Sequence, residues 1–390
     1  MVALQNVVVV GGSFVGWSTA QKLAAALPAT HRVLLVEPHT HFHHLFAFPR
    51  FAVLPGAEHK GFVPYTGIFS KLERHRVICA RADQIGDNNT LILDRTWDET
   101  GSRELPFAYL VIATGCQLTP PGTVPAGVDD KLGGVAYFQG LQADVADAQR
   151  VCIVGGGAVG LQLAFDLKEV YPSKDVTVVH SRAQTMVHFD PALHEIVTAR
   201  CAELGIDLVL GSRAVVPSGG FPSGVGSANV VLLDGRHVPS DLVIVATGQT
   251  PNNALAAAIP DAINEGNGFL RVLPTLQLDA ESFENVYAVG DIADTGSHKA
   301  ARPGMEQANI VVKNIMGAIG GHQPAASFER APAAIHMTLG LRKNVLFVNP
   351  PKTGGKPRIV HREDGRDDMG VERVWKSRGV DVTDAQGFYL

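Results

Sequence analysis

The sequence predicts an α/β protein built on two parallel, doubly wound sheets, and three observations predict it. The first is Val7–Gly16, VVVVGGSFVG: four consecutive apolar residues, a glycine-rich turn, then a helical pattern from about Trp17. The second is a restart at Val151, where VCIVGGGAVG repeats the same plan. The third is a shared ending. Leu110–Gly115 and Leu242–Gly248 are each an apolar run closed by Ala-Thr-Gly. An internal repeat of strand, glycine turn, helix and strand reads as two copies of a βαβ unit that binds a dinucleotide.

In the first copy, Val7–Val10 is apolar throughout, as a parallel strand covered on both faces must be. Gly11, Ser13 and Gly16 fill the three glycine slots of G-x-G-x-x-G. Gly11 suits the tight turn and Gly16 the close packing of helix on strand. Ser13 departs from the pattern at the slot where backbone nears pyrophosphate, although its hydroxyl is small and can hydrogen-bond a phosphate oxygen. The alanine-rich helix stops at Pro28. The next strand, Val33–Val36, ends in Glu37, about 20 residues past Gly16, where a carboxylate accepts hydrogen bonds from an adenosine ribose.

His39, His41 and His43 alternate in the following segment and would share one face of an extended chain. No cysteine or acidic residue joins them at ligand spacing, so we assign no metal site. Val77–Ala82 reads as a strand leading to a small hairpin at Thr90–Asp94.

The second copy carries glycine in all three slots, Gly155, Gly157 and Gly160, with a helix over about Leu161–Val170. Its second strand, Val176–Val179, ends in His180, followed by Ser181 and Arg182. NAD-specific sites put a carboxylate there, which would repel a 2′-phosphate. Its absence, with Arg182 nearby, predicts that NADPH is accepted at least as well as NADH. Pro217–Ser227 is a glycine-, serine- and proline-rich loop, the expected tip of a hairpin. Asn285–Asp291 then reads as a strand ending in Gly-Asp, with a helix over about Gly304–Ile319. Asp291 is placed to hold a flavin's ribitol. The helix after it would aim its N-terminal amides at the ring oxygen where negative charge grows on reduction.

Composition limits the rest. Hydrophobic content of 46%, charged content of 18% and 390 residues fit an enzyme of two or three domains. A net charge of −5 argues against a general nucleic-acid binder. No apolar run approaches the roughly 18–20 residues that span a bilayer. No signal peptide or myristoylation signal is evident, and a cytoplasmic location is expected. The four cysteines, Cys79, Cys116, Cys152 and Cys201, are scattered, which suits a reducing compartment.

The three glycine and Gly-Asp signals, in this order, mark the flavoproteins with two dinucleotide-binding domains, the glutathione-reductase-like architecture. More closely, the chain resembles the AMID-like branch of the apoptosis-inducing-factor family, which includes ferroptosis suppressor protein. Type II NADH dehydrogenases are more distant relatives. The residues that carry the resemblance are GGSFVG at 11–16, FHHLFAFPR at 42–50, GGGAVG at 155–160, VTVVHS at 176–181, ATGQTPN at 246–252 and NVYAVGDIAD at 285–294. It covers about residues 5–345; the segment 352–390 is left unplaced.

The resemblance implies FAD on Gly11, Gly12, Ser13, Phe14, Val15 and Gly16, with Glu37 on the adenosine ribose. It implies that Arg50 contacts FAD, that Ala82 meets adenine through its backbone, that Thr114 and Gly115 flank the flavin, and that Asp291 binds ribitol. NADPH or NADH would lie on Gly155, Gly157 and Gly160, with His180, Arg182 and Gly248 around it. Lys299 matches a lysine of the family's segment after Gly-Asp and is the candidate catalytic residue. The expected domains are 1–123 and 249–325 for FAD, 124–248 for NAD(P), and a small α+β domain over 326–390.

Disulfide reductases of this architecture carry two closely spaced cysteines beside the flavin, and no two cysteines here are that close. The expected reaction is hydride transfer from NAD(P)H to FAD, then electron transfer to a quinone or similar small acceptor. A tailoring oxidase acting on a specific small molecule and a cofactor-switched effector protein are the alternatives. Membrane contact, if made, is peripheral, through Phe46, Phe48 and Phe51, which are read first as core or flavin-pocket residues.

Overall fold

The computed structural model describes residues 4–70, 72–352 and 354–390. Strand β1 (Gln5–Val10) runs through the glycine turn into helix α1 (Phe14–Ala26), then β2 (His31–Glu37), β3 (Arg76–Cys79) and β4 (Tyr109–Ile112). The second copy follows as β5 (Arg150–Val154), α2 (Ala158–Val170), β6 (Asp175–Val179), β7 (Asp207–Val209) and β8 (Leu242–Val245). The chain then returns to the first sheet with β9 (Val286–Ala288) and α3 (Ala301–Ile319). The strand orders are β9-β4-β1-β2-β3 and β7-β6-β5-β8, all pairings parallel.

Alternation along β1 shows why its apolar run is needed. Val7 and Val9 face one core with Trp17 and Leu23 of α1 and Val311 and Ile315 of α3. Val8 and Val10 face the other core, with Ile85, Leu91, Leu93 and Leu105. That second layer is a three-stranded antiparallel sheet (Ala82–Gly86, Thr90–Trp97, Ser102–Pro106), larger than the hairpin the sequence suggests. In the second sheet Val151 and Ile153 pack toward α2, while Cys152 and Val154 meet Val230 and Leu232. The loop Pro217–Ser227 lies between the antiparallel bridge partners Ala214 and Leu232, a hairpin tip as expected.

The turns are built by sterics. Gly11 has φ +100°, and a Cβ there would strike the carbonyl oxygen of Ala113. A Cβ on Gly16 would strike the Gly11 carbonyl, so both positions require glycine for α1 to sit against β1 and β4. Gly155 repeats the arrangement against the Ala246 carbonyl, and Gly160 against that of Gly155. Helix α1 starts at Phe14, earlier than its apolar pattern suggests, because extended Ser13 already occupies the N-cap position.

Of the segment left unplaced by the sequence, Arg358–Arg362 forms a strand and Val371–Ser377 a helix. A three-stranded antiparallel sheet (Ala334–Thr338, Asn344–Val348, Arg358–Arg362) brings Met337, Val345 and Phe347 into the cluster that holds Phe48, Phe51 and Phe165. Helix α4 (Val371–Ser377) then crosses to the first sheet, where Val371 and Trp375 join the core around Trp17. The Trp375 Nε1–H donates to the Lys60 carbonyl at 2.7 Å, which satisfies its polar atom on burial.

Candidate functional site

At the first glycine turn the Gly12 amide donates to Glu37 Oε2 at 2.6 Å. The other carboxylate oxygen accepts from the His39 amide at 3.0 Å and from His39 Nδ1 at 2.5 Å. Glu37 is thus held at the end of β2, where the ribose reading puts it. Ala82 opens a strand just past β3, whose Cys79 is in register with Glu37. The Tyr65 hydroxyl donates to the Gly12 carbonyl at 3.0 Å, and its ring stacks on Trp17 at 5.3 Å. The Ser13 side chain makes no bond to the first turn of α1, which leaves that turn's amides facing outward. Val15 packs under Gly290 and Gly304 and ties α1 to the Gly-Asp turn. The Phe14 ring points the other way, against Phe42, Phe46 and His44.

Thr114 is clamped rather than free. Its hydroxyl donates to the Asn252 carbonyl at 2.8 Å, and Asn252 Nδ2 returns a bond to the Thr114 carbonyl at 2.9 Å. Gly115 accepts from the Asn252 amide at 3.0 Å, with φ +63°. Next to them stand Asp291, Lys299 and Cys116, brought together from two stretches of chain. Burial raises the Asp291 carboxyl above its ordinary range, with Lys299 opposing. Burial lowers the Lys299 ammonium, with Asp291, Asp294 and Cys116 opposing. Lys299 Nζ donates to the Ala293 carbonyl at 2.6 Å and lies 3.8 Å from the Phe269 ring centre. Burial also pushes the Cys116 thiol up to about 12, so it is a thiol, not a thiolate nucleophile. Gln307 was not singled out by the sequence. Its Oε1 accepts from the Gly290 amide at 2.7 Å and fixes the Gly-Asp turn from within α3.

The second turn mirrors the first with one chemical change. The Gly156 amide donates to His180 Nδ1 at 3.2 Å, as Gly12 does to Glu37. Burial lowers the His180 pKa, so a neutral ring stands where the first copy has a carboxylate. Gly157 caps α2 in open space, Gly160 lies against the Gly155 carbonyl, and Gly248 turns at φ +67°. Arg182 is exposed beyond His180.

Arg50 is tied into a protein junction. It is fully buried, and its guanidinium is consumed by protein groups: Asp166 Oδ2 at 2.6 Å, the Gly340 carbonyl at 2.9 Å and the Arg366 carbonyl at 3.0 Å. Three of its five N–H donors are thus engaged in a junction of three chain segments, and the side chain is fully buried. Burial pushes the Asp166 carboxyl up to about 6, against the pull of Arg50. The phenylalanines also divide: Phe48 and Phe51 are core, and Phe46 is 52% exposed. In the histidine run, His39 binds Glu37 and its ring centre lies 4.4 Å from that of His43, which packs between the Phe48 and Phe62 rings, while His41 reaches the Leu390 carbonyl.

The residues present fit FAD at the first turn. Buried polar atoms beside the Phe14 ring lack partners among the described residues: His44 Nδ1 and Arg378 Nε. The His44 pKa is lowered to about 4, by burial first and Arg378 second. All four cysteines are free.

The family model described as pyridine nucleotide-disulphide oxidoreductase matches residues 5–314. The chain is 33% identical over 398 residues to Fe-regulated protein 8 of Mycosarcoma maydis, covering 97% of this chain and 96% of that protein. It is 29% identical over 378 residues to ferroptosis suppressor protein 1 of Taeniopygia guttata, covering 96% of each. Among solved structures, the sulfide:quinone oxidoreductase of Aquifex aeolicus superposes with a TM-score of 0.73 at 21% identity, over 96% of this chain and 90% of that one. The chain belongs to the pyridine nucleotide-disulphide oxidoreductase family, as an FAD-dependent, NAD(P)H-linked oxidoreductase similar to the ferroptosis suppressor proteins.

Proposed function

We propose that this oxidoreductase passes electrons from NAD(P)H through FAD to a quinone or similar small carrier, without a protein dithiol. The observation that carries it is the state of the cysteines: four free thiols, with Cys116, the one nearest Asp291, protonated. Electrons that reach the flavin therefore leave it directly to an external acceptor. The bound flavin supplies the two-electron chemistry, and the protein orients the two rings.

In this reading the residue roles are these. Glu37 anchors the adenosine end, the turn Gly11–Gly16 and the α1 amides hold the diphosphate, and Asp291 holds ribitol. Lys299, beside Asp291, carries positive charge near the flavin ring. The nicotinamide cofactor lies on Gly155–Gly160 with His180 and Arg182 at its ribose. The division into 1–123, 124–248, 249–325 and 326–390 belongs to the same proposal. An exposed ring at the seam supports a planar acceptor: the Phe46 carbonyl accepts from Gln162 Nε2 of α2 at 3.3 Å, and the Phe46 ring stands beside Phe14. No helix among the described residues is long and apolar enough to cross a membrane, so membrane contact in this reading is peripheral and falls to Phe46.

The test is anaerobic mixing of the purified yellow protein with NADH or NADPH, followed by a panel of quinones and other small acceptors. Bleaching by a nicotinamide and recovery with a quinone is the expected result. Reduction by some other small molecule, with neither nicotinamide effective, would overturn it.

A further inference from the structure

Arg378 directly follows Ser377 as the C-cap of α4, and it is 7% exposed. Its backbone amide is held by the Val374 and Trp375 carbonyls at 2.9 and 3.0 Å, and Gly67 presses on its own carbonyl. The side chain is therefore delivered from a fixed backbone. Its guanidinium carbon lies 4.1 Å from the Phe42 ring centre, 4.9 Å from Trp17 and 5.6 Å from Phe14. Phe14 and Trp17 are in the first turn of α1, directly after the glycine turn.

A buried guanidinium ordinarily sits on a carboxylate, as Arg50 does on Asp166. Arg378 does not. Its Nε has no hydrogen-bond partner, and it makes no ion pair among the described residues. Burial lowers its pKa to about 10, with only the Tyr65 hydroxyl opposing, so no protein carboxylate compensates it. Ring faces attract a cation, but by about 0.5–2 kcal/mol each, less than the several kcal/mol that burying a lone charge costs. The balance calls for an anion that the protein does not supply. One is expected nearby, because the free amides and positive end of α1 are a diphosphate site. His44, with its own orphaned Nδ1, lines the same side.

We propose that Arg378, from the C-terminal segment, is the counter-charge to the FAD diphosphate at the Gly11–Gly16 turn. The inference rests on FAD lying on that turn. It makes the last folded segment part of the cofactor site, so that FAD binding and docking of α4 stabilise one another.

The experiment uses full-length protein stripped of flavin, with FAD affinity followed by quenching of flavin fluorescence and apoprotein stability by its melting temperature. Arg378→Met removes the charge and keeps an apolar stem among the rings. FAD affinity should fall about 10- to 100-fold, as expected for losing hydrogen bonds to a charged group. The apoprotein should melt at the same temperature or higher, because an uncompensated charge has gone. Arg378→Lys should melt like the wild type and fall between the two in FAD affinity. Unchanged FAD affinity in Arg378→Met overturns the proposal. So does a lower apoprotein melting temperature, or failure to fold, in Arg378→Met, because the guanidinium would then be a structural cation among aromatic rings. If wild-type protein takes up no FAD at all, the cofactor reading itself fails, which is a different result from either.

Discussion

Arg50 Nε donates to Asp166 Oδ2 at 2.6 Å with both side chains at zero exposure, and this pair joins the loop after β2 to helix α2 of the second sheet. The same guanidinium binds the carbonyls of Gly340 and Arg366, so one residue fastens the C-terminal sheet to both. Arg50→Met should destabilise the protein by about 3–5 kcal/mol, because it leaves the Asp166 carboxyl buried without its partner. The double variant Arg50→Met with Asp166→Leu should recover most of that loss and retain FAD. Urea unfolding and flavin content measure both. A stable double variant devoid of FAD would return Arg50 to the cofactor site.

Cysteine chemistry should be dispensable. Cys116 lies within 3.9 Å of the Asp291 carbonyl but is held as a thiol. Cys116→Ala, folded and FAD-loaded, should keep NAD(P)H oxidation within about twofold of wild type, since an interaction worth under roughly 0.4 kcal/mol would be lost. Steady-state turnover with a quinone acceptor decides it, and abolished turnover would refute the dithiol-free route.

The nicotinamide preference turns on His180 and Arg182. His180 accepts from Gly156 as a neutral ring, so no carboxylate faces a 2′-phosphate. Arg182→Ala should raise the KM for NADPH about tenfold, the loss of one charge-assisted bond, and barely move that for NADH. His180→Glu should shift preference toward NADH. Stopped-flow flavin reduction at graded nicotinamide concentrations separates these effects. A wild type that strongly prefers NADH, with Arg182→Ala unchanged toward NADPH, would sink the idea.

Acid should find His44. In the fold it stays neutral down to about pH 4, whereas the unfolded chain takes up its proton near pH 6.5. Its contribution is present in full above pH 6.5 and is lost as pH falls toward 4, by roughly 3 kcal/mol in all. Replacing it with phenylalanine should flatten that part of the apoprotein's stability curve between pH 6.5 and 4. An unchanged slope in urea midpoints across that range would place the acid sensitivity elsewhere.

Most of the architecture was legible because its constraints are local. Gly11 and Gly16 are demanded by contacts within a few residues of themselves and by one neighbouring strand, and Val7–Val10 announces burial on both faces. The strand ahead of Asp291 could be read because its apolar run returns to the first sheet. The junction at Arg50 could not be read, since a sequence shows an arginine but not the aspartate on α2 that binds it. Arg378 left no signal at all: Lys-Ser-Arg-Gly reads as a solvated helix end. Its burial follows from α4 crossing to another part of the fold, which no periodicity in residues 371–377 encodes.

That crossing also sets a timetable for synthesis. The core around Trp17 and Tyr65 is closed by Val371, Trp375 and Phe388, near the end of the polypeptide. A ribosome adding about 5–20 residues per second leaves roughly 20–70 s between the emergence of Trp17 and that of Trp375. Through that interval the apolar rings flanking the first glycine turn lack the part of their cover that Val371, Trp375 and Phe388 supply.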